Sequence, residues 1–411
     1  MLSTFEGIAK NINLKPKLRT IDNVVFKLHY RITFLLLVVA TILVCSRQYI
    51  GEHIRCISDI KGDVSIKMVE TYCFFSATFT VVRHLDGEDA SSRLHPGVGP
   101  WTEADDTLHH AYYQWVPFVL FFQAIMFYLP HLLWRKLDGG TLFKMAQALH
   151  NYTLAADERA VDVKDRHIPT KGERDARIRE VRRAFVERLP YLRGWARKLM
   201  LCECLNLANV VGQFFVTDAF LAGRFAGLGA SIVGGSDVAS SPLDQVFPKM
   251  TKCVFRKFGP SGTIQNYDAL CVMALNIINE KIYAFLWFWF VILFVATALG
   301  LIWRVVTLLL HRRSDGFNLF LFRSSSPGAD EHSLHVICRK LSFSHWLFLY
   351  YLGKNMDGFV FEKLLSVIAD HIDSGVSASA PEAGRLSEDE GDDEDDDNPK
   401  NSSVSKELLD I

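Results

Sequence analysis

Cysteine is the residue type in this chain most able to form covalent links, and its eight copies are unevenly placed. Cys56 and Cys73 form one close pair along the sequence, and Cys253 and Cys271 form another. Two such pairs predict two disulfide bridges, for which three connectivities are possible. Disulfides persist outside the cell while thiols stay reduced inside it, so both pairs should lie in extracellular segments.

Four apolar stretches, each near the length that a helix needs to cross a bilayer, surround these cysteine pairs. The last stretch is uncharged and rich in aromatic residues, whereas the third contains Glu203 and Asp218. Charged side chains are costly in lipid, so these two should face protein or water. We predict transmembrane helices at residues 29–48, 113–134, 199–221 and 283–303.

The distribution of lysine and arginine predicts the orientation, because positively charged segments resist translocation. Residues 1–31 hold six of them, the loop 135–198 holds sixteen, and residues from 304 onward hold eleven. Segments 47–112 and 222–282 hold six each. Both termini and the middle loop are therefore predicted to be cytoplasmic, and the cysteine pairs fall outside the cell as disulfide chemistry requires.

The resulting fold class is an all-α membrane protein with four transmembrane helices, disulfide-linked extracellular loops and a helical cytoplasmic domain. The last residues contain a long acidic run that cannot build a core and should be disordered. The remaining predicted segments are a cytoplasmic N-terminal segment (1–28), extracellular loops (49–112 and 222–282), a cytoplasmic loop (135–198), a cytoplasmic helical C-terminal region (304–373) and the acidic tail (374–411).

Chain position favours one disulfide connectivity over the others. Cys56 and Cys271 both lie close to a predicted span, whereas Cys73 and Cys253 lie further along their loops. Pairing near with near and far with far joins Cys56 to Cys271 and Cys73 to Cys253. Two separate bridges, one within each loop, remain the alternative.

The N-terminal residues show helical spacing of apolar side chains that include Leu2, Phe5 and Ile8. An amphipathic helix at a cytoplasmic terminus has two interpretations. It lies on the inner leaflet, or it folds into the mouth of a pore and narrows it.

Motifs for other functions are weak or missing in the sequence. Cys202 and Cys204 point to different faces of a helix, and His109 and His110 lack a third ligand at a credible spacing, so no metal site is predicted. No nucleophile with a base and no complete dinucleotide loop is found. The balanced net charge gives no indication of nucleic-acid binding. We therefore expect neither an enzyme nor a cofactor.

Several stretches of this sequence resemble the innexins, the invertebrate gap-junction family. The strongest is Tyr112, Tyr113, Gln114 and Trp115 at the start of the second span, followed by Val116 and Pro117. A second stretch runs from Val246 through Cys253 and Cys271 into the aromatic fourth span. The similarity covers roughly residues 20 to 370, while the middle loop and the residues after about 375 follow no family pattern.

The resemblance implies a plasma-membrane subunit of a ring, eight in the family members of known architecture, which encloses an aqueous pore and docks onto a ring on the apposed cell. The family's loop-to-loop bridges correspond to the pairing favoured above. Partners would be further innexin subunits, identical or different, and membrane lipid. An undocked hemichannel, or a four-span adhesion or scaffold protein without conductance, remains the alternative.

Oligomerisation is required for such a function, because four helices alone cannot enclose a pathway wide enough for metabolites. In the third span, four polar residues share one helical face. They are Glu203, Asn206, Gln213 and Thr217. This face is predicted to make hydrogen bonds to neighbouring helices, with pore lining as the alternative.

Overall fold

The computed structural model describes residues 23–50, 54–58, 65–85, 95–152, 161–163, 166–234 and 242–377. Leu2, Phe5 and Ile8 of the predicted N-terminal helix lie outside the described residues, as do residues 378–411 of the predicted acidic tail (374–411). Residues 374–377 belong to the last helix instead. The described residues are mostly helical and include four helices that are long and apolar enough to cross a membrane. This confirms the predicted fold class.

The elements are numbered here in chain order. The helices are α1 (Val24–Ile50), α2 (Ile66–Ser76), α3 (Val116–Asp138), α4 (Thr141–Ala148), α5 (Lys171–Glu187), α6 (Leu189–Leu192), α7 (Trp195–Phe220), α8 (Phe225–Gly234), α9 (Pro242–Val246), α10 (Ala274–Leu310), α11 (Asp315–Arg323), α12 (Glu331–Lys340), α13 (Phe343–Gly353) and α14 (Gly358–Ser377). The strands are β1 (Arg55–Ser58), β2 (Thr78–Val81), β3 (Thr107–His110), β4 (Val161–Val163), β5 (Arg166–Ile168), β6 (Met250–Phe258) and β7 (Ile264–Val272).

The membrane bundle consists of α1, α3, α7 and α10, the four candidate spans. Near its start α1 widens into a π-helical segment over Leu28–Thr33, where the Thr33 hydroxyl donates to the Leu28 carbonyl at 2.8 Å. At 37 residues α10 is about 55 Å long, so it extends beyond a hydrocarbon core of about 30 Å at both ends.

One end of the bundle carries a domain that we call the cap, made of α2 and a five-stranded antiparallel sheet in the order β1-β7-β6-β2-β3. Strands β1, β2 and β3 come from the first predicted extracellular loop, and β6 and β7 come from the second. The sequence analysis did not predict this sheet. It makes the two loops one folded unit.

The opposite end of the bundle carries a helical domain that we call the dome, made of α4 to α6 and α11 to α14. Its core is aromatic and includes Trp346, Phe348, Phe322 and Phe361, all at most 1% exposed. A capping box starts α5: the Thr170 hydroxyl accepts from the Glu173 backbone N–H at 3.2 Å, and the Glu173 carboxylate accepts from the Thr170 N–H.

Candidate functional site

The cap is held by two disulfides, and each joins one loop to the other. Cys56 on β1 lies directly opposite Cys271 on β7, and the two side chains are bonded. Cys73 on α2 is bonded to Cys253 on β6. This is the near-with-near and far-with-far connectivity. Because both bridges cross between loops, neither loop can move away without carrying the other.

The four residues Tyr112, Tyr113, Gln114 and Trp115, which we call the signature, lie where the cap meets the start of α3. The Tyr113 hydroxyl and the Gln114 side-chain amide both donate to the Phe74 carbonyl, at 3.0 and 2.6 Å. Phe74 follows the bridged Cys73, so these two residues tie α3 to the first loop. The Tyr112 hydroxyl donates to the Val246 carbonyl of the second loop at 3.2 Å. The signature thus fixes both loops to one membrane helix.

Trp115, the last of the four, has a different position. Its side chain is 60% exposed and lies beside Phe118 in a tilted arrangement, with ring centroids 6.0 Å apart. An amphipathic ring exposed at the end of a spanning helix is typical of the headgroup region of a bilayer. Trp115 therefore marks the level at which α3 leaves the membrane.

The hairpin of β6 and β7 carries exposed apolar side chains at its end. Phe258 and Ile264 face each other across the hairpin and are 75% and 63% exposed. The turn between them closes through the Gly259 N–H, which donates to the Thr263 carbonyl at 2.8 Å. Gly262 there has φ +81°, a conformation that favours glycine. Two exposed apolar side chains therefore lie side by side at the end of the hairpin.

His110 is a buried titratable group of the cap. It is 3% exposed, and its Nε2 lies 2.8 Å from the Thr80 hydroxyl on the neighbouring strand. Burial lowers the pKa of His110 to about 4, with smaller contributions from Arg224 and His109. The imidazole is therefore neutral at physiological pH.

The polar face of the third span turns inward within the subunit. Glu203, Asn206, Gln213 and Thr217 are each at most 6% exposed. Thr217 accepts a hydrogen bond from Gln123 of α3 at 2.8 Å. Because all four side chains are buried within the subunit, and Thr217 and Glu203 bond to side chains of neighbouring helices, the structure favours the hydrogen-bonding interpretation of this face over pore lining.

Glu203 belongs to a buried ion pair that the sequence analysis missed. Both guanidinium nitrogens Nε and Nη2 of Arg304 donate to the Glu203 carboxylate, at 3.0 and 2.6 Å. Nη2 also donates a hydrogen bond to the hydroxyl of Tyr351 in the dome helix α13, at 2.7 Å. The pair thus joins α7, α10 and the dome. A carboxylate within the third span indicated that a buried cation lies nearby. The sequence did not indicate which residue that cation belongs to.

The cysteines offer no free ligand set among the described residues. The three sulfurs that lie close together belong to Cys56, Cys73 and Cys271, and each of them is part of a disulfide bond. The unpaired cysteines are Cys45, Cys202, Cys204 and Cys338. Burial raises the pKa of Cys338 to about 12, with a smaller contribution from Asp315, so its thiol stays protonated and unreactive.

Comparisons with known proteins agree with this architecture. The family model described as Innexin matches residues 22–372. Innexin inx7 of Drosophila melanogaster is 44% identical over 377 residues, which cover 90% of this chain and 85% of that protein. Innexin inx2 of Schistocerca americana is 39% identical over 358 residues, covering 86% and 94%. Innexin shaking-B of Drosophila melanogaster is 34% identical over 380 residues, covering 90% and 95%.

Proposed function

The chain belongs to the innexin family and is a subunit of an oligomeric gap-junction channel in the plasma membrane, and we propose that it docks cell to cell through the cap. The supporting observation is that both disulfides run between the loops. Face-to-face docking requires a surface that keeps its shape in the absence of a partner. Two cross-links that close long segments of chain restrict the loops in that way.

We further propose the topology and assembly of this subunit. Both termini, the segment 135–198 and the dome are cytoplasmic, because they hold most of the lysine and arginine residues. Eight subunits form the ring, as the family resemblance implies, with the pore between subunits. Apolar side chains exposed on all four spanning helices of the single subunit support contact with lipid and with neighbouring subunits.

The N-terminal helix with Leu2, Phe5 and Ile8 is proposed to fold into the cytoplasmic mouth of the pore. Support comes from the sequence pattern alone, since apolar side chains at helical spacing need a surface to cover them. Deletion of residues 2–12 should then raise the unitary conductance or widen the range of permeant dyes. Unchanged permeation with normal assembly would instead place the helix on the inner leaflet.

The test of cell-to-cell conduction is electrical. Paired cells that express only this chain should show junctional conductance, while unpaired cells serve as the comparison for membrane conductance. Current in unpaired cells alone would support a hemichannel. Silence in both, with the protein confirmed at the surface, would show either that a different innexin subunit is required or that the chain acts as a scaffold; co-expression with a second innexin separates these two.

A further inference from the structure

The second loop begins with a helix that has no polar face. Helix α8 contains phenylalanine, alanine, glycine, leucine, isoleucine, valine and one serine, and it carries no charged residue. Its exposed residues include Val233, at 74%, and Ile232, at 36%. A helix that is apolar all round belongs inside a protein or inside a membrane. A position in water outside the cell would leave these side chains uncovered.

The chain reverses direction directly after α7 and enters α8. Ala222 and Gly223 take left-handed conformations with φ values of 56° and 76°. The Asp218 carbonyl accepts from the Gly223 N–H, and the Asp218 carboxylate accepts from the Ala226 N–H, both at 2.8 Å. An acidic group at a helix N-terminus is favourable because of the helix dipole. Asp218 therefore caps α8, which accounts for a carboxylate near the end of a span.

Contacts with α10 fix the level of α8 along the bundle. The Trp287 indole N–H donates to the Ala226 carbonyl at 3.2 Å. Gly229 lies so close to the Trp287 ring that no Cβ would fit there. Trp287 comes six residues after Lys281, the last charged residue before the apolar run of α10, and so lies about 9 Å further along the helix. Helix α8 is thus at the level of the membrane, not above it.

Below α8 an apolar groove runs between α7 and α10. It encloses about 230 Å³ and has no polar lining. Phe225 of α8 packs against two residues of its lining, with ring centroids 5.2 Å from Phe214 and 6.5 Å from Phe290. The lining residues are Val210, Val211, Phe214, Phe215, Phe290, Val291 and Phe294.

We propose that α8 is a re-entrant helix in the outer leaflet and that the groove beneath it holds an acyl chain of an outer-leaflet phospholipid. Val233 on α8, Phe215 on α7 and Ile292 on α10 are all apolar and exposed, at 74%, 66% and 58%. A wholly apolar groove between two spanning helices selects a hydrocarbon chain, because any polar ligand would lose hydrogen bonds there.

Fluorescence quenching by lipid tests this position. Val233→Cys, Ser261→Cys on the cap hairpin and Leu299→Cys on α10 are each placed in a chain whose four unpaired cysteines are alanine. The full-length purified channels are labelled with a membrane-permeant NBD iodoacetamide and put into phosphatidylcholine nanodiscs that contain nitroxide-labelled phosphatidylcholine. Ser261 and Leu299 are both exposed, the first on the cap and the second on a spanning helix.

The proposal expects lipid quenching at Val233→Cys close to that at Leu299→Cys and several times that at Ser261→Cys. It also expects a water-soluble maleimide to react at least about tenfold more slowly at Val233→Cys than at Ser261→Cys, because a low-dielectric environment disfavours the reactive thiolate. Fast aqueous labelling without lipid quenching would overturn it. Protection from both reagents would also overturn it, since a second subunit would then cover α8.

Ala230→Cys, exposed on the same helix, repeats the measurement if the variant at 233 does not assemble. A nitroxide on the fifth acyl carbon should quench both positions on α8 more than one on the twelfth, because α8 lies near the outer end of α10. None of these readings requires cell pairing or conduction, so failure of this proposal and failure of docking are separate results.

Discussion

The cap and the dome are both domains at an end of the membrane bundle, but they are stabilised by different interactions. The cap relies on a sheet and two disulfides, whereas the dome relies on a helical aromatic core around Trp346. Cys338 lies buried in the dome as a free thiol. Disulfides form and persist on the oxidising side of a membrane, whereas a domain on the reducing side has to be stabilised by the packing of its core. The cap should therefore respond to reductant and the dome should not.

The largest expected effect comes from opening one bridge of the cap. Cys271→Ser should abolish coupling between paired cells, because removal of a native disulfide from a small domain costs about 2–5 kcal/mol. Junctional conductance and surface biotinylation measure the result. Cys204→Ser, an exposed free thiol, is the matched control and should conduct normally. Normal coupling of Cys271→Ser would remove the docking role proposed for the bridges.

The next effect concerns the link between the bundle and the dome. Arg304→Met leaves the buried Glu203 carboxylate without its partner, which should destabilise the protein by about 3–5 kcal/mol. Glu203→Gln combined with Arg304→Met should recover most of this loss, because no buried charge remains. Thermal unfolding in detergent gives the values for the single and double variants. An equal loss of stability in the single and the double variant would show that the unpaired Glu203 charge is not its cause.

Acid should weaken the cap through His110. The pKa of His110 in the folded cap is about 4, below its ordinary 6.5, so the unfolded chain binds the extra proton first. Stability is then fully present above pH 6.5 and falls by up to about 3 kcal/mol as the pH drops towards 4. Melting temperatures between pH 7 and 4 should show this slope, and His110→Gln should flatten it. An unchanged slope in the variant would assign the acid sensitivity to other groups.

The smallest expected effect concerns the hydrogen bonds that join Tyr113 and Gln114 to the cap. Tyr113→Phe removes one hydrogen bond to the Phe74 carbonyl, which still accepts from Gln114. We expect a loss of about 1 kcal/mol, because the carbonyl keeps a partner. Differential scanning fluorimetry can compare it with Tyr113→Phe combined with Gln114→Leu. That second variant leaves the carbonyl unsatisfied and should cost more than the sum of the two single changes.

Hydropathy made the four spans predictable, because each is mostly apolar over about the length that a helix needs to cross a bilayer. The cysteine pairing also agreed with simple distance from the membrane. The sheet of the cap was not predictable in the same way. Its edge strand β1 pairs with β7 more than 200 residues away, and all four residues of β2 are buried, so β2 lacks the alternation that marks a strand.

Side-chain partners within the bundle were predictable only in part. Glu203 and Asp218 were recognised as residues that must avoid lipid, but their partners lie on elements whose packing the sequence does not specify. One is paired with Arg304, and the other caps α8 after a tight reversal of the chain. The contacts of Tyr112, Tyr113 and Gln114 were likewise visible only once the two loops had been brought together.

The central claim, that the two loops are covalently joined into one cap, is tested most directly by disulfide mapping. Non-reduced channel protein from intact cells is digested, and the linked peptides are identified by mass spectrometry before and after reduction. The account predicts one peptide pair that contains Cys56 with Cys271 and another that contains Cys73 with Cys253. Pairs that join Cys56 to Cys73 and Cys253 to Cys271 would contradict it.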